Sequence, residues 1–233
     1  MTLSTLVSQL GKRQFALEYQ WMKRAVSPIL PLREMLERRV AGEPLQYILG
    51  EQPFGPLSIK LRSPVLIPRP ETEDWAIRLA ERLASRPHTR PLSMLDLGTG
   101  TGCIPLLICS LLPPGSVQAT GIDISEEAVK LATENAALCS PSGNTFRAVR
   151  ASFLDPLFPH PNLGVHPPFD IVTSNPPYIS WHEYTQLSRS VTDYEDPRAL
   201  FGGPDGLDFY HAIAALATGK RSKSRKYFDR LLK

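Results

Sequence analysis

The chain has 233 residues, of which 42% are hydrophobic and 21% charged, so it can bury a core and is not a disordered chain. Its formal net charge is +3, but residues 220–233 carry seven Lys/Arg and one Asp, which leaves −3 for the rest. The body therefore lacks the basic surface that binding to a nucleic-acid backbone requires. No window approaches the roughly 20 apolar residues of a membrane-spanning helix.

The cysteines, the histidines and the first residues bear on redox state, metals and location. The three cysteines form no CxxC pair, and the five histidines lack ligand spacing. We therefore predict a reducing compartment and no metal site. The first acidic residue is Glu18, after Ser, Thr, Lys and Arg, which is weakly typical of a mitochondrial transit segment. An ordinary amphipathic first helix in a cytoplasmic protein is the alternative.

The first 91 residues predict helices followed by a small hairpin. Helices are expected over 13–27 and 31–41, because apolar residues recur every four positions and Gly42 follows as a stop. Residues 42–50 break the helical pattern. Residues 52–61 alternate around a Gly-Pro pair, which predicts a hairpin, and 65–67 predict a buried strand. A helix is expected from Pro70 to about Leu83, with Pro70 and carboxylates in its first turn and a linker at 85–91.

From residue 92 onward, strands alternate with helices. Strands are predicted over 92–97, 117–122, 145–150 and 169–174, and helices over 103–112 and 125–138. Such alternation is typical of a parallel sheet with right-handed crossovers. We divide the chain into a helical region at 1–50, a hairpin and linking helix at 51–91, an α/β domain at 92–217 and a basic tail at 218–233.

A glycine-rich turn joins the first predicted strand of this domain to its helix. Gly98, Thr99, Gly100, Thr101 and Gly102 place glycines two apart, unlike the G-x-G-x-x-G of dinucleotide-binding folds, and no P-loop lysine is nearby. A third class, the methyltransferase loop, has an acid two residues before the first glycine, where Asp96 stands.

Charge favours the same class. A carboxylate at Asp96 would repel a pyrophosphate but attract the ammonium of S-adenosylmethionine, directly or through water. Asp123 ends the next strand and is placed to accept both ribose hydroxyls. Phe153, after the third strand, is equally consistent with core packing and with an aromatic wall for adenine.

The tetrapeptide Asn175-Pro176-Pro177-Tyr178 follows the fourth strand. Proline lacks a backbone donor, which leaves carbonyl groups as acceptors, and the Asn175 side-chain oxygen adds another acceptor. Two acceptors hold a planar NH2 group, and Tyr178 would pack on the substrate plane. The pattern predicts methyl transfer to a nitrogen, with no nucleophilic residue required.

These motifs resemble the HemK family, the protein-(glutamine-N5) methyltransferases of peptide chain release factors. The resemblance covers roughly residues 33–212, and its more specific parts are 66–73 and 194–207. It implies a Rossmann-like class I S-adenosylmethionine-dependent fold and a glutamine substrate in a Gly-Gly-Gln segment of a release factor. It also implies that residues 1–50 help to dock that factor. The cofactor contacts it implies are Asp96, the loop 98–102, Asp123, Phe153 and Asn175, and the tetrapeptide would hold the glutamine amide.

The chain departs from the family pattern at its C-terminal end. The family sheet has seven strands, and three should follow the helix near residues 208–217, but residues 219–226 are basic and cannot form an apolar strand. We therefore expect a sheet truncated at its C-terminal strands, through an alternative or mis-spliced C-terminus. Two alternatives to the release-factor enzyme stay open: an adenine-N6 nucleic-acid methyltransferase, and an inactive form that binds cofactor or a partner.

Overall fold

A computed structural model describes residues 2–86, 88–139 and 143–218. Its helices and strands, in chain order, are α1 (Thr2–Leu10), α2 (Lys12–Ala25), α3 (Leu32–Val40), α4 (Leu45–Leu49), β1 (Glu51–Phe54), β2 (Leu57–Lys60), α5 (Pro70–Ala84), β3 (Leu92–Leu97), α6 (Cys103–Leu111), β4 (Val117–Asp123), α7 (Glu126–Cys139), β5 (Thr145–Arg150), β6 (Ile171–Ser174), α8 (Trp181–Tyr184), α9 (Arg189–Thr192), α10 (Pro197–Leu200) and α11 (Asp208–Ala217). Within these residues, no helix is both long and apolar enough to cross a bilayer.

The centre of the fold is a parallel sheet of four strands in the order β5-β4-β3-β6. The chain runs from β3 outward to β4 and β5, then returns to the other side of β3 for β6. The order reverses between β3 and β6, and open α/β sheets bind ligands at such a switch point, beyond the carboxyl ends of the strands. The predicted α/β class and all four predicted strands are confirmed.

Two apolar layers cover the sheet. One contains α5, α6 and the β1-β2 hairpin, with Phe54, Ile59, Met94 and Leu106 fully buried. The other contains Leu97, Ile122 and Phe169 with Ala212 of α11. Helix α6 is the most apolar helix, and seven of its nine residues are buried.

The hairpin is fixed to the α/β domain through one buried amide. The Asn135 side chain of α7 accepts a hydrogen bond from the Lys60 N–H at 2.8 Å and donates to the carbonyls of Lys60 at 3.2 Å and Thr101 at 3.0 Å. Three backbone groups of the hairpin and the glycine loop are therefore satisfied by a single side chain.

The N-terminal helices have a core of their own, built on Leu6, Met22, Met35 and Ile48. The buried Glu18 of α2 pairs with Arg39 of α3 at 2.7 Å, which compensates the cost of burying this carboxylate. The hydroxyl of Tyr47 donates to the Val65 carbonyl at 2.7 Å, which connects α4 to the segment before α5.

Several predicted elements need correction. Residues 45–49, expected to be irregular, form the short helix α4, and α1 was not predicted at all. The strand predicted at 65–67 is wrong, because the segment is irregular and lies between Pro64 and Pro68, which cannot donate to a ladder.

The predicted basic tail at 218–233 lies outside the described residues except for Thr218. Among the described strands, β6 is an edge of the sheet and pairs only with β3. The tetrapeptide therefore emerges from an edge strand of the described sheet.

Candidate functional site

The glycine loop is held tightly against the end of β4. The N–H groups of Gly98 and Thr99 both donate to the Ile122 carbonyl at 2.9 Å. Gly98, Gly100 and Gly102 have φ angles of +69°, +54° and +78°, which side-chain-bearing residues rarely adopt. A Cβ atom built on Gly98 or Gly100 meets nothing within 4 Å, so the loop backbone is open toward the space above it.

Gly121 of β4, which the sequence analysis missed, allows this close approach. A Cβ atom at this position would lie 2.7 Å from the Cβ of Thr99. Only glycine therefore permits the loop to rest on the strand without displacing it. A glycine inside an otherwise regular strand, two residues before Asp123, was the available signal.

Asp123 stands at the end of β4 and is partly used by the loop itself. Its two carboxylate oxygens accept hydrogen bonds from the N–H groups of Gly100 and Ser125, each at 2.9 Å. Each oxygen has a further lone pair available as an acceptor. Burial raises the pKa of Asp123, while the hydrogen bonds from Ser125 and Gly100 lower it and the nearby charge of Asp196 raises it.

Asp96 was predicted to contact the cofactor, but its position does not suit direct contact with a ligand. It is fully buried, and one oxygen accepts a hydrogen bond from the Thr173 hydroxyl at 2.6 Å. Its Oδ2 has no hydrogen-bond partner among the described residues, and neither do the hydroxyls of Thr99 and Thr101. Burial raises the pKa of Asp96 to about 7, although the hydrogen bond from Thr173 opposes this shift.

The position of Phe153 is compatible with both of its predicted roles. The ring is 7% exposed and contacts Phe209 of α11 edge-on, with ring centroids 6.1 Å apart. The same residue lines the cavity above the glycine loop. Its function toward a ligand remains a prediction.

The tetrapeptide leaves β6 at the sheet edge and runs from the interior to the surface. Pro176 is buried, Asn175 and Pro177 are half-buried, and Tyr178 is 53% exposed. The amide nitrogen of Asn175 donates to the hydroxyl of Thr72, in the first turn of α5, at 3.3 Å. The Asn175 side-chain oxygen has no partner among the described residues, so it remains available as an acceptor.

A turn rich in glycine packs directly against the tetrapeptide. A Cβ atom on Gly202 would lie 2.6 Å from the Pro177 carbonyl oxygen and 2.7 Å from the Tyr178 Cα. A Cβ on Gly206 would collide with the Tyr178 carbonyl oxygen. The Gly202 N–H also donates to the carbonyl of Ile179 at 2.9 Å. The backbone path of the tetrapeptide therefore depends on this turn.

The glycine loop, the strand ends and the tetrapeptide share one cavity of about 380 Å³. Of the predicted residues, those that line it are Gly98, Gly100, Asp123, Phe153, Asn175 and Pro177. Those that do not line it are Asp96, Thr99, Thr101, Gly102, Pro176 and Tyr178. The structure therefore brings together the two motifs that the sequence separates by more than 70 positions.

Part of the cavity wall was not predicted. Residues 64–66 and 196–199 line it, and they are held to each other. The Asp196 N–H donates to the Pro64 carbonyl at 2.8 Å, and the Ser63 hydroxyl donates to the Tyr194 carbonyl at 2.6 Å. These contacts close the cavity between two segments that are remote in sequence.

An ion pair joins the start of α5 to the same region. One guanidinium nitrogen of Arg69 donates to both oxygens of Glu195 at 2.8 Å. Burial raises the pKa of Glu195, and the charge of Arg69 acts against that shift. Next to it, Arg198 pairs with Asp196 at 2.6 Å and lowers the pKa of this cavity-lining carboxyl.

The cysteines do not offer a nucleophile to this cavity. Burial raises the pKa of Cys103 and of Cys109 to about 12, so both thiols are neutral at physiological pH. In the described part of the chain, no three His, Cys, Asp or Glu side chains cluster in a way that could hold a metal ion.

Comparison with known proteins places the chain in a family. A model described as "Methyltransferase domain" matches residues 88–197, and "PrmC N-terminal domain" matches residues 21–50. The "Release factor glutamine methyltransferase" of Lactococcus lactis subsp. lactis is 36% identical over 197 residues, which cover 84% of this chain and 67% of that protein. The chain belongs to the release factor glutamine methyltransferase family.

Two further members support this assignment. The "Release factor glutamine methyltransferase" of Thermodesulfovibrio yellowstonii is 42% identical over 78% of this chain and 61% of its own length. The human "MTRF1L release factor glutamine methyltransferase" is 38% identical over 80% of this chain and 55% of its own length. The chain thus spans little more than half the length of these two family members.

Proposed function

We propose that this chain transfers a methyl group from S-adenosylmethionine to the side-chain amide nitrogen of a glutamine in a peptide chain release factor. The observation that carries the proposal is the shared cavity. Asp123 and the glycine loop line it together with Asn175, whose side-chain oxygen has no partner in the described ranges of the chain. The strand end that we expect to bind the nucleoside therefore lines the same cavity as the acceptor that we expect to hold the NH2 group.

The residues of the glycine loop fit S-adenosylmethionine. Gly98 and Gly100 leave backbone open to the cavity, and Asp123 retains acceptor capacity for ribose hydroxyls. The unpaired Oδ2 of Asp96 and hydroxyl of Thr101 belong to the same loop region. Leaving such groups unsatisfied costs about 1–3 kcal/mol each. Asp96 does not line the cavity, so an ammonium-bearing ligand there would reach this carboxylate only through a bridging water.

When bound, S-adenosylmethionine would supply an activated methyl group on a positively charged sulfur; the sulfur–methyl bond would break to leave a neutral thioether, and the methylated nitrogen would lose one proton to solvent. The protein's own contribution is to hold the acceptor nitrogen. Asn175 Oδ1 accepts one amide hydrogen of the glutamine, and a backbone carbonyl of the tetrapeptide accepts the other. These two acceptors favour a more pyramidal nitrogen and stabilise the positive charge that develops on it. In-line attack would require this nitrogen to lie about 3–3.5 Å from the methyl carbon.

The substrate follows from family membership together with charge. The relatives are named for release factor glutamine, and the resemblance to the family implies a glutamine in a Gly-Gly-Gln segment. The same tetrapeptide could hold the exocyclic amine of adenine. However, the chain before residue 220 has a net charge of −3, which disfavours a nucleic-acid substrate.

The decisive experiment measures methyl incorporation into a purified release factor from labelled S-adenosylmethionine. We expect incorporation that disappears when the glutamine of the Gly-Gly-Gln segment is replaced by alanine. Asn175→Ala should lower kcat by a factor of about 100 or more, as expected when an acceptor acting in the transition state is lost. Asn162→Ala, in an exposed loop, is the matched control and should leave kcat unchanged.

Two results would contradict the proposal. One is incorporation that persists in Asn175→Ala, and the other is a folded chain that binds S-adenosylmethionine but methylates DNA adenine instead of the release factor. A chain that binds the cofactor and methylates neither substrate would support the inactive form.

The compartment remains a prediction from the N-terminal composition. The absence of acidic residues before Glu18 favours mitochondria, with the cytoplasm as the alternative. Imaging of the full-length protein with a C-terminal tag would decide between them.

A further inference from the structure

We propose that Thr72 is a positioning residue that orients the side-chain amide of Asn175 for substrate. This inference rests on the proposed function and names a residue that acts through Asn175. The two residues are 103 positions apart in the sequence, yet their side chains are joined by a hydrogen bond of 3.3 Å.

This contact occupies the nitrogen of the Asn175 amide and leaves its oxygen for the substrate. The nitrogen donates to the Thr72 hydroxyl, and the oxygen is left without a partner in the described part of the protein. A substrate NH2 group needs an acceptor, and only the amide oxygen can serve as one. A free asparagine side chain could turn its nitrogen toward the cavity instead, and that orientation would repel a donor.

Thr72 is suited to this task because it is itself immobile. It is 5% exposed, lies in the first turn of α5, and its N–H donates to the Arg69 carbonyl at 3.0 Å. Arg69 is held in turn by Glu195, and Pro70 fixes the backbone at the helix start. The hydroxyl is therefore presented from a rigid element rather than from a loop.

The test compares one variant that loses the hydroxyl with one that keeps it. Thr72→Val keeps the shape and removes the hydrogen bond, and Thr72→Ser keeps the hydroxyl. We expect Thr72→Val to lower kcat for release-factor methylation about 10-fold, with KM for the release factor and Kd for S-adenosylmethionine changed less than twofold. Thr72→Ser should restore kcat to within about twofold of the wild type. Thr133→Val, which removes an exposed hydroxyl of α7, is the control and should have no effect.

A second measurement separates this inference from the proposed function. In ¹⁵N-labelled protein, the side-chain amide hydrogens of Asn175 should exchange with solvent more slowly in the wild type and Thr72→Ser than in Thr72→Val. This readout needs no substrate, so it stands even if the wild type fails to methylate any release factor. Thr72→Ala provides a second hydroxyl-free variant should valine impair folding.

Three results would overturn the inference. The first is an unchanged kcat in Thr72→Val. The second is a loss of activity in Thr72→Ser equal to that in Thr72→Val, which would show a structural role. The third is identical exchange of the Asn175 amide hydrogens in all variants.

Discussion

Asp96 illustrates how a buried carboxyl group can weaken the fold that carries it. The side chain is fully buried, and one of its oxygens accepts a hydrogen bond from the Thr173 hydroxyl. Because burial raises its pKa to about 7, the ionised form is disfavoured in the folded protein. An unfolded chain would ionise the same group near pH 3.8. Raising the pH through this window therefore removes stability, which is the opposite of the effect of a salt-bridged carboxylate.

Replacing this carboxylate makes the pH dependence measurable. We expect the free energy of unfolding of the wild type to fall relative to that of Asp96→Asn between about pH 4 and pH 7. The slope should be on the order of 1 kcal/mol per pH unit, and the difference should level off at higher pH. Urea unfolding at several pH values without ligand gives the comparison. A constant difference between the two proteins across this range would contradict the shifted pKa.

At the level of elements, the site depends on contacts between segments that are far apart in the sequence. The tetrapeptide after β6 is positioned by α5 through Thr72 and by the turn at 202–206. Arg69, just before α5, pairs with Glu195 in the segment before α10, which fixes the start of α5 to a third part of the chain. The tetrapeptide is thus positioned by two elements that are remote from it in the sequence.

The contact between the turn and the tetrapeptide can be tested at Gly202. We expect Gly202→Ala to destabilise the protein by about 1–3 kcal/mol, because the new Cβ would overlap backbone atoms that cannot move aside. It should also lower kcat for release-factor methylation.

Gly50→Ala is the matched control, since Gly50 has a φ of +78° and no atom within 4 Å of the added Cβ. It should lower stability through backbone strain but leave kcat unchanged, as measured by chemical unfolding and methylation assays. Equal effects of both variants on kcat would count against a role of the turn in positioning.

The local signals in the sequence were sufficient for most elements. Apolar strands ending in glycine or in a polar residue identified β3 to β6, and Pro70 with its following carboxylates identified the start of α5. The strand predicted at 65–67 is wrong because Val65 and Leu66 line the cavity and Ile67 packs in the core, so none of the three pairs with a strand. Helix α4 was missed because five residues are too few for a periodic pattern.

The candidate site was predictable only in part, because some of its residues are placed by local sequence patterns and others by tertiary contacts. Gly98, Asp123 and Asn175 follow strands, and the carboxyl ends of parallel strands meet at one edge, so their convergence follows from fold class. Thr72 contacts Asn175, and Asp196 lines the cavity, through tertiary contacts that no local pattern encodes. The burial of Asp96 behind the cavity wall likewise depends on packing around β3.

For the whole molecule, ligand binding and folding are linked through the cavity. It is bordered by β4, by the segment before α5 and by the segment before α10, so a ligand there contacts parts of the chain from residue 64 to residue 209. A ligand that binds only the folded state stabilises it in proportion to its occupancy. The described fold has a separate apolar core in its N-terminal helices, which does not line the cavity.

Thermal unfolding with added cofactor tests this linkage. At a concentration 100 times its Kd, S-adenosylmethionine should raise the free energy of unfolding by about 2.7 kcal/mol and shift Tm upward. Asp123→Asn, which weakens the acceptor for ribose hydroxyls, should reduce the shift at the same ligand concentration. Asp155→Asn, in an exposed turn outside the cavity, is the control and should show the full shift. An unchanged Tm of the wild type at saturating ligand would exclude binding to the folded chain.

The path of the tetrapeptide from a half-buried Asn175 to an exposed Tyr178 has a consequence for selectivity. Under the proposed function, the backbone of a peptide substrate would stay outside while only a side chain enters. Asparagine, whose side chain is one methylene shorter than that of glutamine, would then place its amide nitrogen farther from the acceptors. Glycines beside the target residue would let the substrate backbone approach the cavity rim closely. Larger side chains at those positions would hold the backbone away from the rim.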